Sequence, residues 1–405
     1  MRELVSDRIM IEMGSTMSKK IADFFKEIRE KTDFYDYNLL AVVILLICFG
    51  LVMLYSTSAY ESDVKFGNDM YYFQRQGLIS LGAIIFAVLI SRINYRRLIP
   101  IAGLIYVAAF ILMGLVKSPL GVEYNGAKRW LNLGIKFQPS EIAKIAIIVY
   151  LPVVIISMGR KVKTLRGVAF LLVVGAVQAG GAFILTQNLS TGLIIGGITV
   201  VIIFVSHPKT APFLISLGAL AAVAAVGIGM LAANIDTSSS FRIQRVLVWL
   251  RPEEFSADGG YQVMQALYAI GSGGFFGKGL GNSTQKLGTI PEAQNDMIFS
   301  IVCEELGVFG GVMLLLLFAY LLYRLFFIAQ NAPDLYGSLM VTGIFAHIAL
   351  QVILNICVVI NLIPTTGITL PFISYGGTSI LFLMMEMGIA LSVSRRIKFQ
   401  SAEGK

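Results

Sequence analysis

Ten apolar segments, each about as long as a lipid bilayer is thick, restrict what this chain can fold into. A membrane-spanning helix needs about 20 apolar residues, and lipid admits only helices and closed barrels because backbone groups must be hydrogen-bonded internally. Charged residues make up 14% of the chain, against about 25% in soluble proteins. The sequence therefore predicts an all-α integral membrane protein with about ten transmembrane helices. The predicted spans are 38–58, 76–92, 98–116, 141–158, 168–186, 191–206, 211–233, 297–328, 337–360 and 377–394.

The basic residues predict how these spans are oriented. Of the 32 lysines and arginines, 20 fall on the same side of the membrane as the N-terminus. Cytoplasmic loops carry such an excess, so we expect a multi-pass protein of the cell membrane with both termini cytoplasmic. Its parts are a cytoplasmic N-terminal segment 1–37, a transmembrane domain 38–397 and a cytoplasmic tail 398–405. Because the net charge of +8 follows the membrane topology, nucleic acid is not predicted as a partner.

A long polar loop, about residues 234–296, joins the seventh and eighth spans on the predicted outer side. Loops of this length are usually functional or disordered, and this one has aromatic and aliphatic residues with which to fold. Phe241–Trp249 fits a short amphipathic helix that carries Arg242 and Arg245, and Tyr261–Gly271 fits a helix along the membrane surface. Most of the chemistry of an active site is expected in this loop.

Eleven basic residues lie on the predicted outer side, among them Lys128 and Arg129 between the third and fourth spans. Two interpretations stay open for them. They are charges that simply contact water and lipid headgroups, or they form a basic cleft for an anionic substrate at the outer leaflet. Since there is no ATP outside the cell, a phosphorylated lipid is the anion expected under the second interpretation.

Metal and nucleotide sites are not indicated. The three cysteines have no paired or metal-type spacing, and the two histidines lie far apart in sequence. The glycine-rich stretch Gly271–Gly281 resembles a dinucleotide motif only superficially, because no strand precedes it and no βαβ unit surrounds it. Its glycines are expected to permit tight turns or a close approach of backbone to a bulky headgroup.

Several motifs carry a family resemblance over roughly residues 37–397. The large loop contains, in order, GYQ, AIGSGGFFGKGLG, QKLGTIPEAQNDMIF and EELG. Residues 125–144 read NGAKRWLNLGIKFQPSEIAK, and residues 364–379 read PTTGITLPFISYGGTS. This arrangement resembles the SEDS family (shape, elongation, division and sporulation), and it leans toward the division and sporulation branch. One departure matters: Asn188 stands where many relatives have aspartate, so a role that needs negative charge is not expected there.

The resemblance implies a peptidoglycan glycosyltransferase that polymerises lipid II, a disaccharide-pentapeptide on undecaprenyl pyrophosphate, outside the cytoplasmic membrane. A sugar hydroxyl must lose its proton as it attacks the anomeric carbon, and a carboxylate suits that role. Asp296 lies in the family's catalytic motif and is the predicted general base, the alternative being a helix N-cap. Arginine and lysine can stabilise the charge on the leaving pyrophosphate. The predicted substrate-binding residues are Arg242, Arg245, Lys128, Arg129, Glu141, Lys144, Gln262, Lys286, Glu292 and Ser374.

Some of these residues also have structural interpretations. Ser140 fits a helix cap, and Lys144 lies three residues after Glu141, a spacing that allows an ion pair on one helix face. A charge inside a membrane is costly and tends to be functional, which favours a role for Lys144. Glu304 and Glu305 are expected to stabilise the loop through ion pairs.

Two other functions remain as alternatives. A flippase for lipid-linked precursors would use intramembrane charges such as Lys144 and Glu386, and a noncatalytic division scaffold would need no base at Asp296. The resemblance implies a class B penicillin-binding protein and other division or sporulation proteins as partners. No cofactor is certain, and a divalent cation at Asp296 and Glu292 stays open because two carboxylates are not a full ligand set.

Overall fold

The computed structural model describes residues 34–124, 127–132, 134, 136–208, 241–255, 260–288 and 290–398 of the chain. Residues 124, 127 and 241–244 are described by their backbone alone. The predicted seventh span, 211–233, therefore lies outside the described residues, as do most of the N-terminal segment and parts of the large loop.

Helices form almost all of the described structure, as the apolar segments predict. Seven helices in the described part of the chain are long and apolar enough to cross a membrane, and α3 and α11 are shorter apolar helices. The helices are α1 Tyr37–Phe66, α2 Tyr71–Arg92, α3 Ala102–Leu115, α4 Pro139–Met158, α5 Leu165–Ile184, α6 Leu189–Ser206, α7 Phe241–Leu250, α8 Gly260–Gly273, α9 Ile298–Asn331, α10 Leu335–Val359 and α11 Ser379–Ser394. Nine of the ten predicted spans coincide with α1–α6 and α9–α11, which confirms an all-α membrane protein.

Short polar side chains begin several of these helices. The Asp36 carboxylate accepts a hydrogen bond of 2.9 Å from the Leu39 N–H at the start of α1, and Asp334 accepts one of 2.8 Å from Gly337 at the start of α10. Such caps pair N–H groups that a helix leaves free at its first turn. Asp36 also forms a 2.7 Å ion pair with Arg324 of α9, which ties the two helices together.

The core is formed where α4, α6 and α10 pack on one another, with α9 against α10. Side chains such as Ile147, Ile148, Ile198 and Ile344 are completely buried there. The apolar residues of α2 mostly face outward, although α2 packs closely on α11. This bundle supports the polar segments at the end of the molecule where α9 begins.

A small antiparallel sheet lies between α3 and α4, where strands were not predicted. It consists of β1 Gly121–Tyr124, β2 Ala127–Asn132 and β3 Lys136–Phe137, in the order β1-β2-β3. Leu131 of β2 is fully buried, and pairs with both Gly121 and Phe137. The sheet fixes Lys128 and Arg129 on β2.

The glycine-rich stretch packs against a kink in α9. At Gly307 the backbone leaves helical geometry, with φ 68° and ψ −168°. A Cβ atom at Gly307 would lie 2.3 Å from the Phe275 carbonyl oxygen, and one at Gly277 would lie 2.1 Å from that of Glu305. Only glycine fits such a close approach. The close approach at these glycines is therefore between the glycine-rich stretch and the backbone of α9.

Candidate functional site

Asp296 lies in the turn just before α9. The N-cap of α9 is Met297, which makes no side-chain capping hydrogen bond. Asp296 is therefore not the N-cap of α9. The polar residues around Asp296 and its turn come from α7, α8, α10 and the segment that follows α10, and Arg129 of β2 interacts with Arg245 of α7.

Asn355 of α10 fixes the backbone at Asp296. Its side-chain N–H group donates to the Asp296 carbonyl oxygen at 2.8 Å and to the Ile368 carbonyl oxygen at 2.7 Å. Asp296 thereby lies beside Gly367, where a Cβ atom would be 4.0 Å from the Asp296 Oδ2 atom. Gly367 has φ +70°, a conformation that favours glycine. The glycine leaves space directly in front of the carboxylate.

Burial raises the pKa of Asp296 to about 6. The nearby Glu292 carboxylate also raises this pKa, while the N–H of Asp296 itself and the Arg245 guanidinium lower it. Burial and a like charge disfavour the ionised carboxylate, and a cation favours it. A base whose pKa lies near the operating pH is suited to accept a proton during a reaction.

Two arginines accompany Asp296. Arg245 of α7 donates to the Thr365 carbonyl oxygen at 3.3 Å, and Arg129 of β2 donates to the Gln187 carbonyl oxygen at 3.4 Å. Burial lowers the pKa of both guanidinium groups, and the Arg129 charge lowers that of Arg245 further while Asp296 raises it. Arg245 therefore lies close enough to interact with both Asp296 and Arg129. Partly desolvated guanidinium groups are well suited to bind phosphate.

Gln262 and Glu292 support the turn that carries Asp296. The Gln262 amide of α8 donates to the Pro291 carbonyl oxygen at 3.3 Å. Glu292 has φ 50°, and its Oε2 accepts from the Asn295 side chain at 3.0 Å. Both predicted residues therefore lie on the segment 291–296 or contact it.

Glu141 and Lys144 form the predicted ion pair in α4. The Lys144 Nζ atom is 2.8 Å from the Glu141 Oε1 atom, and only 3% of the lysine side chain is exposed. Ser140 does not cap α4: the N-cap is Gln138, whose side-chain N–H donates to the Ser140 hydroxyl at 3.0 Å. Pro139 takes the first helical position, which suits a residue without an N–H.

Lys286 and Ser374 already have partners within the protein. Lys286 donates to Glu305 at 2.8 Å and to Ser56 at 2.9 Å. The Ser374 hydroxyl accepts from the Leu370 N–H at 2.8 Å. Through these contacts both residues stabilise the fold. Their roles in substrate binding stay predictions. The expected ion pairs of Glu304 and Glu305 are present, since Lys278 lies 2.7 Å from Glu304.

Lys128 is exposed on β2, next to Arg129. The side chain of Arg242 lies outside the described residues, although its backbone belongs to α7. Its predicted role therefore stays a prediction.

Several polar residues that contact the segments around Asp296 were not predicted from the sequence. Gln351 and Asn355 of α10 are buried, and Ser190 of α6 donates to the Thr366 carbonyl oxygen at 2.5 Å. A signal was available for two of them, because Gln351 and Asn355 are four residues apart in an apolar span. That spacing places both amides on one face of a helix.

Within the described residues, no three His, Cys, Asp or Glu side chains come together as a metal site. Asp296 and Glu292 would supply two of the oxygen ligands that a magnesium or calcium ion needs, and water or substrate phosphates would supply the others.

Comparison with known proteins identifies the family. The model of the FtsW, RodA and SpoVE family of cell cycle proteins matches residues 36–398. The chain therefore belongs to this family. Stage V sporulation protein E of Bacillus subtilis (strain 168) is 39% identical over 367 residues, which cover 90% of this chain and 98% of that protein. The probable peptidoglycan glycosyltransferase FtsW of Coxiella burnetii is 35% identical over 368 residues, which cover 89% and 96% of the two chains.

Solved structures have the same fold. A chain from a study of the structural coordination of polymerization and crosslinking by a peptidoglycan synthase complex matches with a TM-score of 0.73 at 29% identity. That match covers 89% of this chain and 98% of the other. The crystal structure of the rod shape determining protein RodA of Thermus thermophilus matches with a TM-score of 0.65 at 27% identity, covering 90% and 98%.

Proposed function

We propose that this membrane protein is a peptidoglycan glycosyltransferase that polymerises lipid II at the outer face of the cytoplasmic membrane during cell division or sporulation. The observation that carries the proposal is that Arg245 interacts with both Asp296 and Arg129, three charged residues from separate elements of the chain. A base and two cations are what a sugar transfer from a lipid pyrophosphate needs. The family and the names of the relatives support the same activity.

The transfer proceeds in one displacement. A sugar hydroxyl of one substrate attacks the anomeric carbon of the other, forming the glycosidic C–O bond as the C–O bond to pyrophosphate breaks. The hydroxyl proton goes to the Asp296 carboxylate, which acts as general base. The lipid pyrophosphate leaves with the bonding electron pair, and Arg245 and Arg129 stabilise its negative charge.

The surrounding residues have supporting roles in this proposal. Gly367 leaves room for the attacking hydroxyl in front of Asp296. Lys128, which neighbours Arg129 on the exposed part of β2, extends the positive surface toward the phosphates. A divalent cation held by Asp296 and Glu292, if one binds, would add positive charge against the pyrophosphate.

The orientation and the partner complete the proposal. Both termini are cytoplasmic, so the end of the molecule that carries Asp296 faces outward, as the basic residues predict. The protein works with a class B penicillin-binding protein, a transpeptidase anchored by one helix. A structurally similar chain comes from a peptidoglycan synthase complex, which supports such an assembly.

A lipid flippase is less well supported by the contacts of the intramembrane charges. Lys144 is paired with Glu141 at 2.8 Å, and Glu386 is hydrogen-bonded to His347 at 2.8 Å. Buried charges that are paired within the protein satisfy one another and are weak candidates for lining a transport path.

Glycan polymerisation by the purified protein tests the proposal directly. The full chain in detergent or liposomes is incubated with lipid II, with and without the penicillin-binding protein, and the products are separated by length. Glycan strands support a polymerase. Transfer of lipid II across the liposome membrane without strand formation would instead identify a flippase. If the protein shows neither activity, the noncatalytic scaffold is the function that remains.

A further inference from the structure

Helix α10 carries a line of buried polar residues through an otherwise apolar span. His347, Gln351 and Asn355 follow one another at intervals of four residues and are 1%, 6% and 0% exposed. This spacing places them on one face of the helix. Buried amides are costly unless they are hydrogen-bonded, so their partners indicate what they do.

The partners of the two amides are backbone carbonyl groups near Asp296. Gln351 donates to the Thr369 carbonyl oxygen at 3.0 Å, whereas Asn355 donates to both Asp296 and Ile368. Asn355 thus joins the turn before α9 to the segment that follows α10. Through the bond to Ile368 it also fixes the neighbour of Gly367, which lies in front of the Asp296 carboxylate. A backbone hydrogen bond of 2.9 Å from the Tyr375 N–H to the Gln294 carbonyl oxygen joins the same two segments at a second place.

The segment after α10 is held by side chains on several sides. Within residues 364–371, four carbonyl oxygens accept hydrogen bonds from side chains of α6, α7 and α10. The donors are Arg245 to Thr365, Ser190 to Thr366, Asn355 to Ile368 and Gln351 to Thr369. A segment with several such hydrogen bonds stays in place when one of the four donors is removed. Asn355 also donates to the Asp296 carbonyl oxygen, so it holds the backbone of both segments.

We propose that Asn355 is a positioning residue that sets the distance between the Asp296 carboxylate and Gly367 by bonding both backbone segments at once. The inference rests on the proposed function, because Asn355 acts on the reaction only through Asp296. Removing the amide leaves the Asp296 and Ile368 carbonyls without this donor, and the turn before α9 then moves relative to the segment at Gly367. Displacement of a base by about 1 Å can lower a rate by about 10²-fold.

The charged groups that face Asp296 give this movement a measurable signature. They are Glu292 from the same turn and Arg245 from α7, with Arg129 of β2 beyond Arg245. Burial is the largest cause of the raised pKa of Asp296. A turn that is no longer held lets water reach the carboxylate, so its pKa falls toward the ordinary value for aspartate.

The test compares Asn355→Ala with Gln178→Ala in the full-length protein. Gln178 of α5 is a matched control, since it is also fully buried and donates one amide hydrogen bond of 2.7 Å to a carbonyl group, that of Tyr106 in α3. For Asn355→Ala we expect the kcat of lipid II polymerisation to fall by about 10- to 100-fold with little change in KM. The acid limb of its pH–rate profile should move to lower pH, and Gln178→Ala should leave the limb unmoved.

Amide hydrogen exchange provides a readout that does not depend on activity. Asn355→Ala should raise exchange in peptides that cover residues 291–299 and 364–371, and Gln178→Ala should not. The inference is overturned if Asn355→Ala keeps the parent kcat and exchange pattern, or if it loses activity with an unmoved acid limb and raised exchange throughout the bundle. If the parent protein makes no glycan, the proposed function fails, and local exchange still decides whether Asn355 holds the turn.

Discussion

At the scale of single residues, the environment of Asp296 balances opposing effects. Burial and Glu292 favour the neutral acid, and Arg245 favours the carboxylate. The result is a pKa of about 6, between that of an ordinary aspartate and neutral pH. A base with this pKa is mostly ionised at pH 7 and still accepts a proton more readily than a water-exposed aspartate.

This pKa predicts how the rate depends on pH. Asp296 must be ionised to accept the hydroxyl proton, so kcat should fall as the pH drops through about 6 and level off above it. Rates of lipid II polymerisation between pH 5 and 8 test this, with protein stability measured at each pH. A limb near the ordinary pKa of aspartate, about 4, would mean that Asp296 is exposed to water during the reaction.

Truncation of either Arg245 or Arg129 is expected to weaken substrate binding. A hydrogen bond to a charged group contributes about 1.5–3 kcal/mol. Arg245→Ala and Arg129→Ala should therefore each lower kcat/KM by about 10- to 100-fold, since about 1.4 kcal/mol corresponds to tenfold.

Arg251→Ala is the control for this measurement, because Arg251 follows α7 directly and forms an exposed pair with Glu254 at 3.2 Å. It should keep the parent kcat/KM. Equal effects of Arg245→Ala and Arg251→Ala would indicate a general electrostatic attraction in place of a specific phosphate contact.

At the scale of elements, the first turns of α9 are fixed to the glycine-rich stretch and to the residues that follow it by ion pairs whose carboxylates are buried. Glu304 and Glu305 are fully buried, and each accepts hydrogen bonds from a lysine and from Ser283. The kink at Gly307 lets the backbone of this stretch come into contact with α9. Because Asp296 lies at the start of α9, these contacts help to set the position of the whole site.

Loss of one partner should therefore destabilise the fold. Lys286→Met leaves the Glu305 carboxylate buried without its lysine, and breaking a buried pair costs about 3–5 kcal/mol. Lys65→Met removes an exposed pair with Glu61 and should cost less than about 1 kcal/mol.

Thermal unfolding in detergent measures the difference between these two variants, which should appear as a clearly lower Tm for Lys286→Met. An unchanged Tm with a raised KM for lipid II would assign Lys286 to substrate binding.

The sequence predicted the elements better than the contacts between them. The spans of α1–α6 and α9–α11 are evident because continuous apolar segments have few alternatives in a membrane. The sheet of β1–β3 escaped prediction because its strands are short, and Lys128 and Arg129 in β2 did not suggest a strand. Asp296 was found through the family motif, whereas Asn355 was not, because its partner Asp296 is 59 residues away in sequence.

At the scale of the whole molecule, the account requires the site and the large loop to face outward. A variant with Cys48, Cys303 and Cys357 replaced provides a background for single added cysteines. Leu280→Cys, at an exposed position near Gly281, should react with a membrane-impermeant maleimide on intact cells. Lys163→Cys, at the opposite end of α4 from Glu141, should react only after the cells are opened. The reverse pattern would overturn the orientation inferred from the basic residues.

The central claim is that Asp296 is the base of a lipid II polymerase. Asp296→Asn keeps the size of the side chain and most of its hydrogen bonds but cannot accept a proton at neutral pH. Asn188→Ala is its control: it removes only the cap of α6, where Asn188 accepts from Thr191 at 3.1 Å, at a cost of about 1 kcal/mol.

The deciding measurement is the rate of glycan synthesis by the purified variants, each with the proposed transpeptidase partner. We expect Asp296→Asn to be slower than the parent by about 10²-fold or more, with normal membrane insertion and partner binding, and Asn188→Ala to stay close to the parent rate. Polymerisation of lipid II by Asp296→Asn at the parent rate would contradict the account and would make Glu292 the next residue to test.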